Sequence, residues 1–174
     1  GNYNIEYLNG VGLGAFSLCN SLTEVVLPST LTKLGINSFA SCPNLVKMDL
    51  PEGLLTIDDS ALTSSANLIV PKLPKSLTSI GKNNFYQNGN MPEDIDLPNL
   101  LGTLGASFMK TNIKRILNLG SITSTGSSPV YYPTNSGAGP FSDCKELVFV
   151  ELPETLTTIG IAAFAGCNSL ETIV

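Results

Sequence analysis

The same pattern returns about every 23 residues along most of this chain. Phe16 and Phe39 keep that step, as do Cys19 and Cys42, Leu22 and Leu45, and Leu34 and Ile57. Pro28, Pro51 and Pro74 follow it, and so do Phe141 and Phe164, Cys144 and Cys167, and Leu147 and Leu170. A fixed period between about 20 and 50 residues marks a solenoid, in which each repeat is one turn that buries its apolar side chains against the next turn. A single turn cannot bury enough surface to hold itself together, so stability comes from contacts between neighbours. About seven rungs in one domain, 1–174, are expected, with a loop at 127–139.

Counting slots from the first leucine shows what each rung is built from. Slot 1 is Leu22, Leu45, Leu68, Met91, Ile113, Leu147 and Leu170. Slot 4 is Val25, Met48, Ile116, Val150 and Ile173, and slot 6 is Leu27, Leu50, Leu73 and Leu152. Slots 4 and 6 alternate with the period of a strand that has one buried face. Proline at slot 7 has no N–H to offer a ladder and ends that strand. A second apolar pair, such as Leu31 with Leu34, Leu77 with Ile80 and Leu101 with Leu104, is too short for an amphipathic helix and reads as a second extended segment across the coil. Slot 14 is glycine in Gly12, Gly35, Gly81, Gly105, Gly126 and Gly160, with Asp58 as the exception, which suggests backbone at positive φ. One helical turn is expected after it, turning the Phe inward.

The combined pattern LxxVxLPxxLTxIGxxAFxxC, met at Leu31, Leu34, Gly35, Phe39 and Cys42 and again at Ile159, Gly160, Ala163, Phe164 and Cys167, resembles the BspA-like leucine-rich repeats. That resemblance implies a curved, right-handed α/β leucine-rich-repeat solenoid, rich in β, with a parallel concave sheet and the second extended segment and short helical turn on the convex side. It also implies a secreted or cell-surface protein of anaerobic bacteria or some protists, with a role in adhesion to host or bacterial proteins. It transfers no functional residues, because the family's motif is itself structural.

Departures from the period locate the irregular rungs. Between Met91 and Ile113 the rung is one residue short and Ile95 sits one place late. In the next rung Asn118 holds a leucine slot, Leu119 the proline slot and Thr125 an isoleucine slot. An insertion of 11 residues then separates Gly126 from Phe141 and makes a surface loop of Gly, Pro, Ser and Asn. Insertions of this kind often carry function, so Tyr131 and Tyr132 are candidate contacts. The other reading folds one of them back over the weakened rung. The last rung stops inside a strand, which leaves it exposed, covered by a neighbouring chain in end-to-end self-association, or continued in a longer protein.

The chemistry available is narrow. Four cysteines occupy one recurring slot, where other rungs hold Ser65, Asn88 and Thr111. In-register neighbours about 4.8 Å apart with parallel Cβ vectors do not meet disulfide geometry, so free buried thiols are expected. The chain has no histidine, which removes Ser-His and Cys-His nucleophile pairs. Glu93, Asp94 and Asp96 lie on one strand, not across a cleft as paired glycosidase carboxylates must. Asp58 and Asp59 at a turn are a weak calcium candidate. No enzyme activity, cofactor or metal is expected.

The net charge of -5 argues against nucleic acid. The one basic cluster, Lys110, Lys114 and Arg115, reads as solvated face. No apolar run is long enough to span a membrane, and no export signal lies within the chain. What remains for binding is the outward side of the LxxVxL strand at slots 2, 3 and 5. Candidate contacts there are Val26, Val46, Lys47, Val70, Lys72, Arg115, Leu117, Phe149 and Glu151, with the valines, Leu117 and Phe149 in or beside one column. Aligned apolar side chains on a solvent face suggest a protein partner, and the family resemblance implies that it is a host or bacterial surface protein. The opposing reading is β-branched filler in a structural spacer that binds nothing specifically.

Overall fold

The computed structural model describes residues 10–70, 72–126 and 139–174. Thirteen short strands run through them in chain order: β1 (Gly10–Val11), β2 (Glu24–Val25), β3 (Lys33–Leu34), β4 (Lys47–Met48), β5 (Thr56–Ile57), β6 (Ser79–Ile80), β7 (Asp94–Asp96), β8 (Leu101–Leu104), β9 (Arg115–Asn118), β10 (Ser121–Thr125), β11 (Phe149–Val150), β12 (Thr158–Ile159) and β13 (Thr172–Ile173). Every pairing between them is parallel and joins one rung to the next. The strands fall into two ladders, so the coil is a parallel β-solenoid of about seven turns.

One ladder carries the LxxVxL strands and will be called the face ladder. Glu24 pairs with Lys47, Lys47 bridges to Ile69, and Asp94, Arg115, Phe149 and Thr172 pair in turn. The back ladder carries the second apolar pair, through β1, β3, β5 and β6 and then β8, β10 and β12. The Leu101 N–H donates to the Thr78 carbonyl at 3.0 Å and links these two groups. The extended segment expected across the coil is thus present.

The stretch between the back ladder and the slot-1 leucine is not a helix. No helix occurs among the described residues. The chain is instead a run of turns with left-handed residues at two recurring places, such as Asn37 and Ser41, or Asn83 and Gln87. Peptide N–H groups alternate in use. Ser38 and Ala40 donate back three residues within their rung, while Phe39 and Ser41 donate to Ala61 and Thr63 of the next rung at 2.8 and 2.9 Å. A short helix would spend all these donors internally; the turn run spends half of them on the neighbour and makes a third ladder.

This arrangement also corrects the reading of the slot-14 glycines. None of Gly12, Gly35, Gly81, Gly105, Gly126 and Gly160 has positive φ. Glycine is needed for proximity: a Cβ on Gly35 would lie 2.6 Å from the Val11 carbonyl oxygen, and one on Gly81 would lie 2.4 Å from the Asp59 nitrogen. The left-handed positions go to Asn, Ser, Gln and others two and six residues later, where the turn reverses.

The core is a set of columns. Phe16 stacks on Phe39 with ring centroids 5.0 Å apart, and Phe85, Phe108, Phe141 and Phe164 continue in single file at 5.4, 5.6 and 5.4 Å. Buried Leu62 holds the ring's slot between Phe39 and Phe85. The four cysteines are free, as the slot argument requires; Cys42 and Cys144 are buried, Cys19 and Cys167 half-buried in the end rungs. Their slot has a purpose. The thiols of Cys42, Cys144 and Cys167 donate to the carbonyls of Phe16, Phe108 and Phe141 one rung earlier, at 3.2, 3.0 and 3.1 Å, and the Ser65 hydroxyl does the same to Phe39 at 3.2 Å. The slot selects a small buried donor, and Cys and Ser both qualify. Burial pushes the Cys167 thiol up to about 11.

Irregular rungs are absorbed locally. A register shift between Ile95 and Asp96 pairs Asp96 with Asn118, and Leu119 is buried while Asn118 is half-exposed. Leu100, not Leu101, turns into the core; Leu101 is exposed on the back ladder. The end rungs of the described residues are open: in the first, Leu13 and Phe16 are exposed and Val11, Leu22, Val25 and Leu27 half-buried, and in the last, Leu152, Leu156, Phe164 and Leu170 are half-buried and Ile159, Ile173 and Val174 exposed, whereas Leu50, Leu54, Ile57, Phe39 and Leu45 in those slots are buried.

Candidate binding face

Strand alternation decides what the face ladder shows. Slot 4 points in, with Met48, Ile95, Ile116 and Val150 buried, so slots 3 and 5 on either side point out. Of the residues expected on this face, Val26 is 87% exposed. Val46, Lys47, Lys72, Arg115 and Glu151 are also exposed, and Leu117 and Phe149 are half-buried.

Val70 is the exception: it is 1% exposed and belongs to the core. Its neighbour Ile69, 50% exposed, stands in its place, bridged to Lys47. The reason is in the sequence. Counted from Leu68, slot 4 falls on Pro71, which has no N–H and a fixed φ, and Val70 fills the inward place one residue early. The unusual proline was the signal that could have found Ile69. The apolar residues therefore do not share one column: Val46 is in slot 2, Ile69 and Phe149 in slot 3, and Val26 and Leu117 in slot 5.

The charged residues on the face are coupled from rung to rung. The Lys47 ammonium lies 2.6 Å from Glu24, Lys114 lies 2.6 Å from Glu93, and Lys75 lies 2.6 Å from Asp96. Lys72 pairs with Glu52. Arg115 grips Asp94 with two bonds, its Nε donating to Oδ1 at 2.7 Å. The guanidinium beside Asp94 holds that carboxyl below its ordinary range, and the hydrogen bond from Lys72 does the same for Glu52. Hydrogen bonds to Glu24, Asp96 and Glu93 raise Lys47, Lys75 and Lys114. The basic cluster of the sequence is thereby dispersed, since Lys114 and Arg115 are neutralised and Lys110 sits 5.6 Å from the centre of the Tyr86 ring. It does not assemble a phosphate site.

A groove of about 410 Å³ opens beside the ladder where Ile69 makes only an isolated bridge. Glu52, Lys72, Leu73, Lys75, Pro92, Glu93, Asp94 and Asp96 line it. The Asp58–Asp59 turn is spent on structure: Asp58 lies 2.9 Å from Lys33, and Asp59 accepts the Lys82 N–H at 2.8 Å. Among the described residues no three His, Cys, Asp or Glu side chains come together as metal ligands. Tyr131 and Tyr132 lie outside the described residues, as does nearly all of the 127–139 loop.

The family described as the BspA type leucine rich repeat region matches residues 9–136 and 134–174, in six copies. This chain belongs to the BspA-type leucine-rich repeat family. A solved structure shares the coil, and two others are more distantly similar. The leucine rich repeat protein of T. pallidum is 23% identical and superposes with a TM-score of 0.70 over 97% of this chain and 75% of that one. A leucine-rich repeat protein from Bacteroides ovatus is 19% identical, with a TM-score of 0.43 over 92% and 68% of the two chains. A leucine rich cell surface protein from Faecalibacterium prausnitzii is 17% identical, with a TM-score of 0.42 over 93% and 62%. None of the curated proteins compared matches the sequence. The leucine-rich repeat fold is generally a non-enzymatic scaffold, and among the described residues no helix is long and apolar enough to cross a membrane.

Proposed function

We propose that this chain is a non-enzymatic protein-binding or adhesion module of a secreted or cell-surface bacterial protein. Its partner, a host or bacterial surface protein, docks on the face ladder, read as the concave side of a coil wound right-handed as parallel crossovers nearly always are. The 127–139 loop with Tyr131 and Tyr132 contributes a second contact. One observation carries the reading: Val26, Val46 and Ile69 are exposed, and Leu117 and Phe149 half-exposed, on a strand face where rung-to-rung hydrogen bonding holds the backbone rigid. Apolar surface spread over the outward slots of a preorganised sheet keeps the entropy cost of docking low.

The face reading is tested by selecting a displayed library of host and bacterial protein fragments on the immobilised chain. Selected fragments should lose binding to Ile69→Asp and Phe149→Asp variants whose circular dichroism is unchanged. If fragments bind wild type and both variants alike, or if none is selected, the chain is a structural spacer.

A further inference from the structure

Charge on the face ladder does not cancel. Lys47, Lys72, Lys114 and Arg115 each spend their charge on an acid of a neighbouring rung, and Lys75, beyond the strand, does the same. Asp49, Glu151 and Glu171 are exposed on the same face and have no ion pair among the described residues. Asp49 lies near enough to Lys47 to act on its charge, but the Lys47 ammonium itself sits on Glu24.

The place of these three acids is informative. Met48 is in register with Val25, so Asp49 stands beside Val26 on the neighbouring rung. Val150 is in register with Ile116, so Glu151 stands beside Leu117. Phe149 is in register with Thr172, so Glu171 stands beside Val148, whose carbonyl accepts the Glu171 N–H at 3.0 Å. Each free carboxylate therefore has an accessible aliphatic neighbour about one strand spacing, roughly 4.8 Å, away.

A lysine or arginine side chain has the matching shape. Its methylene stem covers apolar surface while its charged head reaches a carboxylate. We infer that the partner of the face ladder is a cationic protein segment, whose Lys or Arg stems lie on Val26, Leu117 and Val148 and whose charges meet Asp49, Glu151 and Glu171. This rests on the face-binding reading and adds the chemistry of the partner to it. The face's own cations contribute no attraction for acidic partners, because each is already held by a carboxylate.

The probes are three short extended peptides that alternate valine with lysine, with glutamate or with glutamine, titrated into the labelled chain and read by fluorescence anisotropy. The lysine peptide should bind about tenfold more tightly than the glutamine peptide, and its affinity should fall as salt rises from about 50 to about 300 mM. Glu151→Lys should weaken it about tenfold. Glu154→Lys changes net charge equally at an exposed acid beyond the strand and should leave binding within about twofold. Equal losses in the two variants would mean attraction to the whole acidic chain and would overturn the inference. Glutamine or glutamate peptides binding as well as lysine, with Phe149→Asp abolishing all three, would overturn it while leaving the face-binding reading intact. Failure of every peptide to bind would also overturn it, and the fragment selection would then judge the broader reading alone.

Discussion

The first half of the coil and the second reach the same interior by different spacings. From Phe16 to Phe85 each rung keeps the regular step, with Leu62 as one tooth of the column. Beyond it, the pairing of Asp94 with Arg115 between β7 and β9 falls short of that step, and Phe108 meets Phe141 across a longer one that takes in the inserted loop. Yet the Phe108–Phe141 rings lie 5.6 Å apart and within 8° of parallel, against 5.4 Å and 6° for Phe141–Phe164, which keep the regular step. Slots, and not sequence distance, define this fold. Spare residues leave at a register shift or at the insertion, and the ladders close behind them.

The strongest way to break that equivalence is to remove a tooth. Phe108→Ala, in a fully buried ring stacked on both sides, should cost about 3–5 kcal/mol in urea unfolding, the usual toll of a large core truncation. Phe16→Ala, in the 45% exposed ring of the first described rung, should cost about 1 kcal/mol. Equal losses would mean that the irregular half carries no more than the end rung does. Gly35→Ala places a Cβ 2.6 Å from the Val11 carbonyl and should cost about 1–3 kcal/mol, while Gly12→Ala, with nothing within 4 Å, should change stability by less than about 0.5 kcal/mol. If both are neutral, proximity is not why slot 14 is glycine.

Smaller effects sharpen the comparison. The Ser38 hydroxyl is buried without a hydrogen-bond partner, and Ala15, Ala61 and Ala163 occupy its slot in other rungs. Ser38→Ala should raise stability by about 1 kcal/mol in the same assay. Ser107 in that slot donates to the Gly81 carbonyl, so Ser107→Ala should lower it. The smallest effect is electrostatic. Arg115 holds the Asp94 carboxyl below its ordinary range, so that pair's contribution is fully present above that range and lost as pH falls from it through the lowered folded value. The unfolding midpoint should therefore drop slightly more steeply on acidification in wild type than in Asp94→Asn, and less so in high salt, because the pair is exposed.

Much of this was readable in advance. The period, the proline that ends most face strands, the second extended segment and the free thiols all follow from which residue types recur at one slot, because a stacked coil makes identical demands at each turn. The candidate face was half legible. Alternation names the outward slots, and most of the expected residues are there. It failed at Val70, which fills the inward place one residue before the slot where the sequence has Pro71, and it could not see that each cation on the face is claimed by an acid of a neighbouring rung. Leu101 and Leu100 were exchanged for the same kind of reason: either leucine satisfies the pattern, and only the turn leading from Leu97, whose carbonyl accepts the Leu100 N–H at 3.2 Å, decides between them.

Taken alone, the sequence determined that the chain coils and which slots recur, since periodic burial can be satisfied only by stacking. The tertiary structure decided which of two adjacent residues fills a slot, what slot-14 glycine and the cysteines are for, and where charge remains unpaired. Those outcomes depend on hydrogen-bond register and on contacts between rungs, and a contact between turns is a property of neighbours in space that residue order does not carry.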